Sequence, residues 1–296
     1  MPIQAKLLLA TVFWGATPTI GRILAVYEAP IVVVCGRFVV AAVFLWWFTL
    51  VAGKVLRIPR RYWWRLALLG FTGIVLHNGL MYKGLEYTDA TTTSIILALI
   101  AIQVVVLDLV IYRRLPDRLA LAGVLLAFVG TLFVITDGQL GQIHRIGLGV
   151  GELLAFLSAL SWAIYSVLGR PLLEEFSPLL ITTYATTIGV FMMLPSLFQD
   201  TQLTITIFSD GAAVAMLFLL GTIGSALGFL WYYEAVVEMG TVGAAVFINL
   251  VPVFGVLSAV IFLGESPNAA VLGGALLVMG GLIMVNRPWS GSRVER

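Results

Sequence analysis

Charged residues are scarce in this sequence. Its 296 residues include only 17 Lys and Arg and 15 Asp and Glu, whereas 60% of them are hydrophobic. With a mean hydropathy of +1.05, a soluble protein of this size could not cover its surface with so few charges. Most of the surface must therefore face lipid, and the composition predicts an integral membrane protein.

Cysteine and histidine are also scarce. Cys35 is the single cysteine, which excludes an internal disulfide and a cysteine metal cluster. Two histidines without metal-ligand spacing predict no bound metal, and the absence of a Walker sequence argues against direct ATP drive. The net charge of +2, with basic residues at the ends of apolar runs, does not suit nucleic acid. We expect neither a cofactor nor a nucleic-acid partner.

Long apolar runs dominate what is present. A helix needs roughly 20 apolar residues to cross a hydrocarbon core of about 30 Å, and ten such segments can be read between short polar connections. They lack the polar and apolar alternation of a β-barrel, so the expected fold class is an all-α integral membrane protein with ten transmembrane helices. The segments span residues 4–25, 31–52, 63–83, 89–112, 117–136, 149–169, 178–197, 211–233, 241–263 and 268–286.

The second half of the sequence repeats the first. A shift of 151 positions (224 minus 73) aligns most of the matched residues, and a shift of 148 (162 minus 14) aligns the first two segments with the sixth and seventh. We predict two five-helix repeats, residues 1–147 and 148–296, in one membrane domain, with the three extra residues in a loop at Gln199–Asp210. The matched pairs include Trp14 and Trp162, Pro30 and Pro178, Gly73 and Gly224, Tyr82 and Tyr233, and Pro116 and Pro267.

The basic residues predict how the segments cross the bilayer. If both termini are cytoplasmic, 13 Lys and Arg residues lie on the cytoplasmic side and only 3, Arg22, Lys83 and Arg145, on the other. Because five is an odd number, the second repeat then enters the membrane upside down relative to the first. Such inverted repeats are typical of transporters, which bind substrate between the repeats and expose it to each side in turn.

Several local motifs accompany this organisation. They are Phe13-Trp14-Gly15 with its counterpart near Trp162, Arg37-Phe38, Asn249-Leu250-Val251-Pro252-Val253, Phe262-Leu263-Gly264-Glu265 and the glycine-rich tenth segment. Together they resemble the EamA-type ten-helix members of the drug/metabolite transporter superfamily, and within it the YddG-type amino-acid exporters. The resemblance implies export of aromatic and other neutral amino acids across a bacterial inner membrane. Arg114 departs from the family pattern, because it stands where Glu265 stands in the second repeat.

Two helix faces are candidates for a substrate cavity. At 100° per residue, Trp14, Thr17 and Pro18 share one face of the first helix. Trp162, Tyr165 and Ser166 share the matching face of the sixth. Small and hydroxyl groups beside a large aromatic ring suit a cavity, although close helix packing around the tryptophan explains the same pattern.

The third and eighth helices carry further polar candidates. His77, Asn78 and Tyr82 fall on one arc, and Tyr232 and Tyr233 on its counterpart. Polar groups are costly in hydrocarbon, so they should face the bundle interior or a wet cavity. His77 could bind a substrate carboxylate, take up a proton, or make an interior hydrogen bond. Tyr82 and Tyr233 could instead belong to an interfacial aromatic belt.

The remaining candidates are a cation, a carboxylate and a helix break. Arg37 lies about two turns inside the second helix, where it can either snorkel outward or hold an anionic ligand group. For Asp108, a local ion pair with Arg113 or Arg114 is favoured over a role in proton relay. Pro252 and Pro18 are candidate hinges, Pro252 because it removes one helix hydrogen bond. Ser94 and Asn249 complete the predicted substrate-binding set.

These features favour a secondary transporter that exports small metabolites, in first place amino acids, by alternating access through a cavity between the repeats. Its expected partners are a small-molecule substrate and the lipid bilayer, and the sequence is compatible with a monomer. Nucleotide sugars and sugar phosphates are an alternative, but they would favour several Lys or Arg groups inside the cavity. Cationic drugs are a second alternative. A membrane-embedded enzyme is disfavoured, because no nucleophile with a base and no metal cluster is visible.

Overall fold

A computed structural model describes residues 1–24, 27, 30–53, 57–88, 90–145, 149–198, 201–263 and 269–287. This part of the chain consists of helices and connections, without a β-strand. Its α-helices are α1 (Ile3–Leu24), α2 (Pro30–Val51), α3 (Trp63–Leu69), α4 (His77–Gly84), α5 (Ala90–Leu97), α6 (Ile100–Tyr112), α7 (Arg118–Ile135), α8 (Val150–Leu173), α9 (Pro178–Met193), α10 (Thr201–Ser209), α11 (Gly211–Leu219), α12 (Gly228–Ala245), α13 (Leu250–Leu263) and α14 (Ala269–Asn286).

Many of these helices are long and apolar enough to cross a bilayer. Within the described residues seven stretches meet that criterion, and Ile3–Gly15 is a shorter apolar helix. The ends of most of them agree closely with the predicted segments, for example Pro30–Val51 against 31–52, but Gly211–Ser258 runs across the predicted eighth and ninth segments. The all-α membrane fold is therefore confirmed, whereas ten crossings, inverted repeats and cytoplasmic termini stay predictions. The seven stretches are Pro30–Val51, Thr92–Tyr112, Arg118–Ile135, Val150–Leu173, Pro178–Phe198, Gly211–Ser258 and Ala269–Asn286.

Two π-helices interrupt the regular α-helical pattern. Gly70–Leu76 joins α3 to α4, and Leu220–Leu227 joins α11 to α12. The two lie at equivalent places in the predicted repeats, because residues 70 and 221 differ by 151. A π-helix is rare and often marks a functional site. Sequence periodicity did not predict either of them.

Glycines set the closest helix contacts. α7 packs against α14, where a Cβ added at Gly130 would lie 2.6 Å from the Gly274 carbonyl oxygen. The two π-helices pack in the same way on different partners. A Cβ at Gly70 would lie 2.6 Å from the Ala185 carbonyl oxygen of α9, and one at Gly221 would lie 2.5 Å from the Arg37 carbonyl oxygen of α2. Small residues therefore bring the helix backbones together.

Polar contacts mark the two ends of the bundle, which we call end A and end B. End B holds a hydrogen bond from the Tyr27 hydroxyl to Asp210 and another from Thr88 Oγ1 to Glu152 Oε1 at 2.8 Å. End A holds three polar contacts, which are Lys6 Nζ to Glu234 Oε2 at 2.6 Å, Arg287 to Asp117 at 3.8 Å, and the Tyr62 hydroxyl to Glu175.

Two local predictions differ from the structure. The predicted loop at Gln199–Asp210 contains a helix, α10, whose Ile207 is buried while Ile205 and Phe208 are exposed. The predicted eighth segment, 211–233, is too short because the helix continues to Gly240. Gly240 has φ +78, a left-handed conformation that breaks α12 in its last third.

Candidate functional site

An aromatic cluster fills the centre of the bundle where α1, α8 and α12 meet. Trp162 lies in the middle of it, with its ring centroid 5.6 Å from that of Trp14, 5.0 Å from Phe229 and 5.2 Å from Tyr232. All three contacts are edge-to-face, which is a preferred geometry for aromatic pairs. The structure thus brings the two predicted tryptophans into direct contact.

The second π-helix holds the Trp14 ring. Its indole Nε1 donates a hydrogen bond of 2.8 Å to the Gly224 carbonyl oxygen. Gly228 makes room for the same ring, because a Cβ at that position would lie 2.8 Å from Trp14 Nε1. Gly224 in the π-helix and Gly228 at the start of α12 therefore explain where the indole lies.

Three predicted tyrosines form the base of the cluster and are at most 1% exposed. Tyr165 stacks on Tyr233 with 4.6 Å between ring centroids and 18° between planes, and the Tyr233 hydroxyl donates to the Tyr165 carbonyl oxygen at 3.0 Å. The Tyr232 hydroxyl and Ser166 Oγ share a hydrogen bond of 2.7 Å. Tyr233 thus lies in the interior, and an interfacial belt does not describe it.

Polar residues line the side of the cluster that faces end B. Arg37 Nη2 donates to Asn78 Oδ1 at 2.8 Å, and Asn78 Nδ2 donates to the Ile74 carbonyl oxygen at 2.9 Å. Asn78 is buried, whereas Arg37 is half-buried and its buried Nε has no hydrogen-bond partner among the described residues. Tyr82 is half-buried and within electrostatic range of the guanidinium.

His77 joins the polar residues to the aromatic cluster. Its ring centroid lies 4.9 Å from that of Trp162, and its Nδ1 lies 3.1 Å from both the carbonyl oxygen and Oγ of Ser158. Ser158 Oγ in turn donates to the His77 carbonyl oxygen at 2.7 Å. Interior hydrogen bonds therefore orient the imidazole, which is one of the three interpretations given for His77 in the sequence analysis. Its ring also packs against Trp162 in the aromatic cluster.

Burial differs between the two sides of the cluster. Toward end A, Val236 and Thr241 are buried, at 3% and 2% exposed. Arg37, His77 and Tyr82, between the cluster and end B, are half-buried. The polar residues toward end B are therefore less completely buried than Val236 and Thr241 toward end A.

Other predicted residues lie apart from this cluster. Ser94 is half-buried in α5. Asn249 is buried, and its carbonyl oxygen accepts from Thr131 Oγ1 of α7 at 3.2 Å. Pro252 lies in the first turn of α13, just after the 3-10 helix Val246–Asn249. The side chains of Thr17 and Pro18 lie outside the described part of the structure, although the backbone of α1 is helical there.

Asp108 does not make the expected ion pair. It is 5% exposed, and Thr241 Oγ1 donates a hydrogen bond to its Oδ2. No described arginine lies within ion-pair distance of it, and the neighbouring Arg113 takes a left-handed conformation at the end of α6. The prediction of a local Asp108 pair was therefore wrong.

Some residues of the site were not among the predicted set. Phe229 and Phe38 extend the aromatic cluster, with 5.6 Å between their ring centroids. Phe229 could have been found, because it lies on the same arc as Tyr232. The role of the Gly224 carbonyl could not, since a backbone acceptor leaves no side-chain signal in the sequence.

Comparisons with known proteins bear on both halves of the chain. The model of the EamA-like transporter family matches twice, at residues 3–136 and at 149–287. A solved crystal structure has the same fold, with a TM-score of 0.76 over 96% of this chain and 98% of that chain at 16% identity.

Relatives of known sequence carry transporter names. An uncharacterized transporter of Bacillus subtilis, YyaM, is 30% identical over 282 residues, which cover 94% of this chain and 92% of the relative. A probable terminal-alkyne amino-acid exporter of Streptantibioticus cattleyicolor is 28% identical over 230 residues, covering 78% of this chain and 75% of the relative. The chain is an integral membrane protein that belongs to the EamA-like transporter family of the drug/metabolite transporter superfamily.

Proposed function

We propose that this protein is a secondary transporter that exports small metabolites, in first place aromatic and other neutral amino acids, from the cytoplasm. The proposed localisation is a bacterial inner membrane. Transport proceeds by alternating access, with the aromatic cluster and its polar rim as the substrate site. The observation that carries the substrate class is the Arg37 guanidinium beside this cluster.

Similarity between the two halves of the chain supports the proposed mechanism. The family model matches once in each half of the chain, and both halves contain a π-helix at the equivalent place. The helix pairings are also equivalent, since the first π-helix packs on α9 and the second on α2. Five crossings in each repeat, with both termini on the cytoplasmic side, account for the distribution of basic residues. End A is then the cytoplasmic end.

Arg37 is the only cation in the cluster and its rim among the described residues. Its partner is the neutral amide of Asn78, and no described carboxylate neutralises it. A guanidinium out of bulk water gains most from a carboxylate, which it can hold with two parallel hydrogen bonds. The bound substrate therefore brings one carboxylate to Arg37.

The walls of the site define the rest of the substrate. Trp14, Trp162 and Phe229 present large apolar faces, which suit the side chain of an aromatic or aliphatic amino acid. A phosphorylated sugar would call for more than one cation. The name of the Streptantibioticus relative, an amino-acid exporter, is in keeping with this assignment.

A flux experiment in liposomes tests the proposal with two matched compounds. Phenylalanine and phenethylamine share the aromatic ring, and only phenylalanine carries a carboxylate. Wild-type protein should move phenylalanine, and Arg37→Gln should slow that flux by roughly tenfold or more, because a hydrogen bond to a charged group contributes about 1.5–3 kcal/mol. Flux of phenethylamine, if present, should not fall.

Two controls separate binding from charge and folding. Arg287→Gln removes an arginine that is 46% exposed at end A and should leave phenylalanine flux unchanged. Monodisperse elution in detergent checks that each variant is folded. Movement of sugar phosphates without any amino acid would refute the substrate class, and equal slowing of both aromatic compounds would refute the role of Arg37.

A further inference from the structure

Exposed arginines and tryptophans lie together at end A, in a part of the chain that the proposed substrate site does not use. Arg57, Arg60 and Arg61 are exposed, and Trp63 and Trp64 are 52% and 62% exposed. We call these five residues the arginine-tryptophan patch. Exposed large apolar side chains that form a contiguous patch mark a surface that another molecule contacts.

The arginine-tryptophan patch lies at the level of the bilayer surface. It follows Pro30–Val51, which is long and apolar enough to cross a bilayer. Tyr62, in the middle of the patch, contacts the chain just before a second such stretch, Pro178–Phe198. Its hydroxyl donates to Glu175, and its ring centroid lies 5.1 Å from that of Phe176. Two membrane-crossing stretches therefore have an end beside the patch.

Contacts within the protein hold the patch in place. Tyr62 is only 7% exposed, and the guanidinium carbon of Arg61 lies 4.7 Å from the centroid of its ring. Arg61 Nη2 also donates to the Tyr62 hydroxyl at 2.8 Å. The Trp63 indole Nε1 donates to the Ile58 carbonyl oxygen at 3.2 Å. Because these side chains are already ordered, a ligand that binds them loses less entropy.

The positive charge of the patch is not neutralised by ion pairs. None of the ion pairs in the described part of the chain involves its three arginines. Arg65 adds a further guanidinium, 5.3 Å from the centroid of the Trp64 ring. Glu175 is linked to the patch through the Tyr62 hydroxyl and forms no described ion pair. Guanidinium groups present forked donors that match the oxygens of a phosphate group.

An anionic phospholipid fits both the charge and the aromatic rings. Clusters of arginine at the end of a membrane helix attract the headgroups of anionic lipids. Tryptophan rings lie preferentially at the level of those headgroups. A soluble phosphate would use the arginines alone and would leave both exposed indoles in water.

We propose that the arginine-tryptophan patch binds the headgroup of one anionic phospholipid. The phosphate accepts hydrogen bonds from Arg60 and Arg61, and the rings of Trp63 and Trp64 lie against the glycerol and the first carbons of the acyl chains. The lipid then lies beside the contact between Tyr62 and Glu175, which joins the two halves of the chain. This site goes beyond amino-acid export and requires only the membrane fold.

Lipid titration of the purified protein in neutral detergent tests the site. Native mass spectrometry counts bound phosphatidylglycerol, with phosphatidylcholine of the same acyl chains in a parallel titration. Each basic residue near an anionic surface contributes about a fivefold factor in affinity. Wild-type protein should therefore prefer its first phosphatidylglycerol over phosphatidylcholine by roughly tenfold or more. Arg60→Gln with Arg61→Gln should lose most of that preference and leave phosphatidylcholine binding unchanged.

A matched pair of arginines controls for charge alone. Arg113→Gln with Arg114→Gln removes the same two charges from exposed positions at end A, where no tryptophan is adjacent in sequence. This variant should keep the tightly bound phosphatidylglycerol. Trp64→Leu keeps every charge and should weaken that lipid several-fold. Thermal unfolding without added lipid checks that each variant is folded.

Three results would overturn the inference. Equal binding of the two lipids by wild-type protein would show that the patch does not recognise a negative headgroup. Equal losses in the two double variants would assign the effect to the overall charge of end A. Displacement of the bound lipid by an equal concentration of inorganic phosphate would show that the tryptophans contribute nothing and that the lipid is not the occupant.

Discussion

Adjacent glycines in α14 allow a stringent test of how the bundle is packed. A Cβ at Gly274 would lie 2.7 Å from the Gly130 carbonyl oxygen and 2.8 Å from Phe133 Cβ, and backbone cannot give way as a flexible side chain can. At Gly273 the same atom would meet nothing within 4 Å. Gly274→Ala and Gly273→Ala therefore make the same chemical change in the same helix, with and without a steric conflict.

The magnitudes decide the sign of each effect. Alanine is better than glycine in a helix by about 1 kcal/mol, and forcing extra atoms into a packed contact costs about 1–3 kcal/mol. The gain in helix propensity is the same for both variants, so it cancels when their free energies of unfolding are compared. We expect Gly273→Ala to be neutral or more stable than wild type, and Gly274→Ala to be less stable than Gly273→Ala by about 1–3 kcal/mol.

Thermal unfolding in one detergent measures this difference. A change of 1 kcal/mol moves the midpoint by roughly 2–4 °C in proteins of 150–250 residues, and one heating rate must be used because unfolding of such proteins is often irreversible. The pair Gly280→Ala and Gly281→Ala repeats the design about two turns further on, with 3.6 Å to Leu126 Cδ2 at Gly280 and 2.6 Å to the Ala127 nitrogen at Gly281. Equal midpoints within both pairs would refute the packing of α7 on α14.

Two further predictions concern single hydrogen bonds. Trp14→Phe keeps a ring in the cluster but leaves the Gly224 carbonyl without its donor, so the unfolding free energy should fall by about 1–3 kcal/mol; an unchanged midpoint would contradict that bond. The Tyr27 hydroxyl is the main cause that holds the pKa of Asp210 below its usual value of 3.8. A lowered folded pKa stabilises above the unfolded pKa and loses that effect as the pH falls through the folded value. Tyr27→Phe should therefore be less stable than wild type at neutral pH and equal to it well below pH 3.8, and a difference independent of pH would argue against the bond.

Apolar length and punctuation were enough to predict where most helices begin and end. Pro178 follows Ser177, whose side chain accepts from the Leu180 nitrogen, so α9 begins where the sequence carries both a cap and a helix-starting proline. Between Gln199 and Asp210 the same features predicted a loop, whereas the structure has the helix α10. The alternation of Thr with Ile and Phe there is compatible with a helix lying at the bundle surface, but nine residues are too few to cross a bilayer.

The candidate site could be predicted only as two separate faces. Helical spacing placed Trp14 on one face and Trp162 with Tyr165 on another, and the structure brings these faces into contact. What joins them is backbone geometry, namely the π-helix that supplies the Gly224 carbonyl. Side-chain periodicity contains no information on a π-helix, because insertion of one residue shifts the register without changing residue types.

The Asp108 prediction failed for a different reason. Proximity in sequence to Arg113 and Arg114 suggested an ion pair, but the helix ends at Tyr112 with Arg113 in a left-handed conformation, and neither arginine pairs with the carboxylate. Its true partner, Thr241, is far along the sequence and carries no charge that would mark it. Long-range pairing of a carboxylate with a hydroxyl is therefore beyond a reading of local charge patterns.

The equivalent positions of the proposed repeats explain why the site is polar on one side only. The backbone of Arg37 packs on Gly221 as that of Ala185 packs on Gly70, so these two residues correspond, yet only one carries a cation. The shift of 151 (228 minus 77, and 229 minus 78) pairs His77 with Gly228 and Asn78 with Phe229. The two residues of the first half are polar, whereas their counterparts are small or apolar.

Duplication alone would give a symmetric cavity that binds a ligand equally well in two orientations. Here the cation and its amide partner lie in the first repeat, while the equivalent places in the second admit the Trp14 ring at Gly228 and add the Phe229 face. A ligand with one carboxylate and one apolar end therefore has a single favourable orientation, with its charge toward Arg37 and its side chain toward Phe229. Moving the cation across the proposed axis, with Arg37→Ala and Ala185→Arg in one chain, should not restore phenylalanine flux, because Phe229 cannot supply the hydrogen bond that Asn78 gives. Restored flux would mean that the substrate requires only a cation somewhere in the cavity.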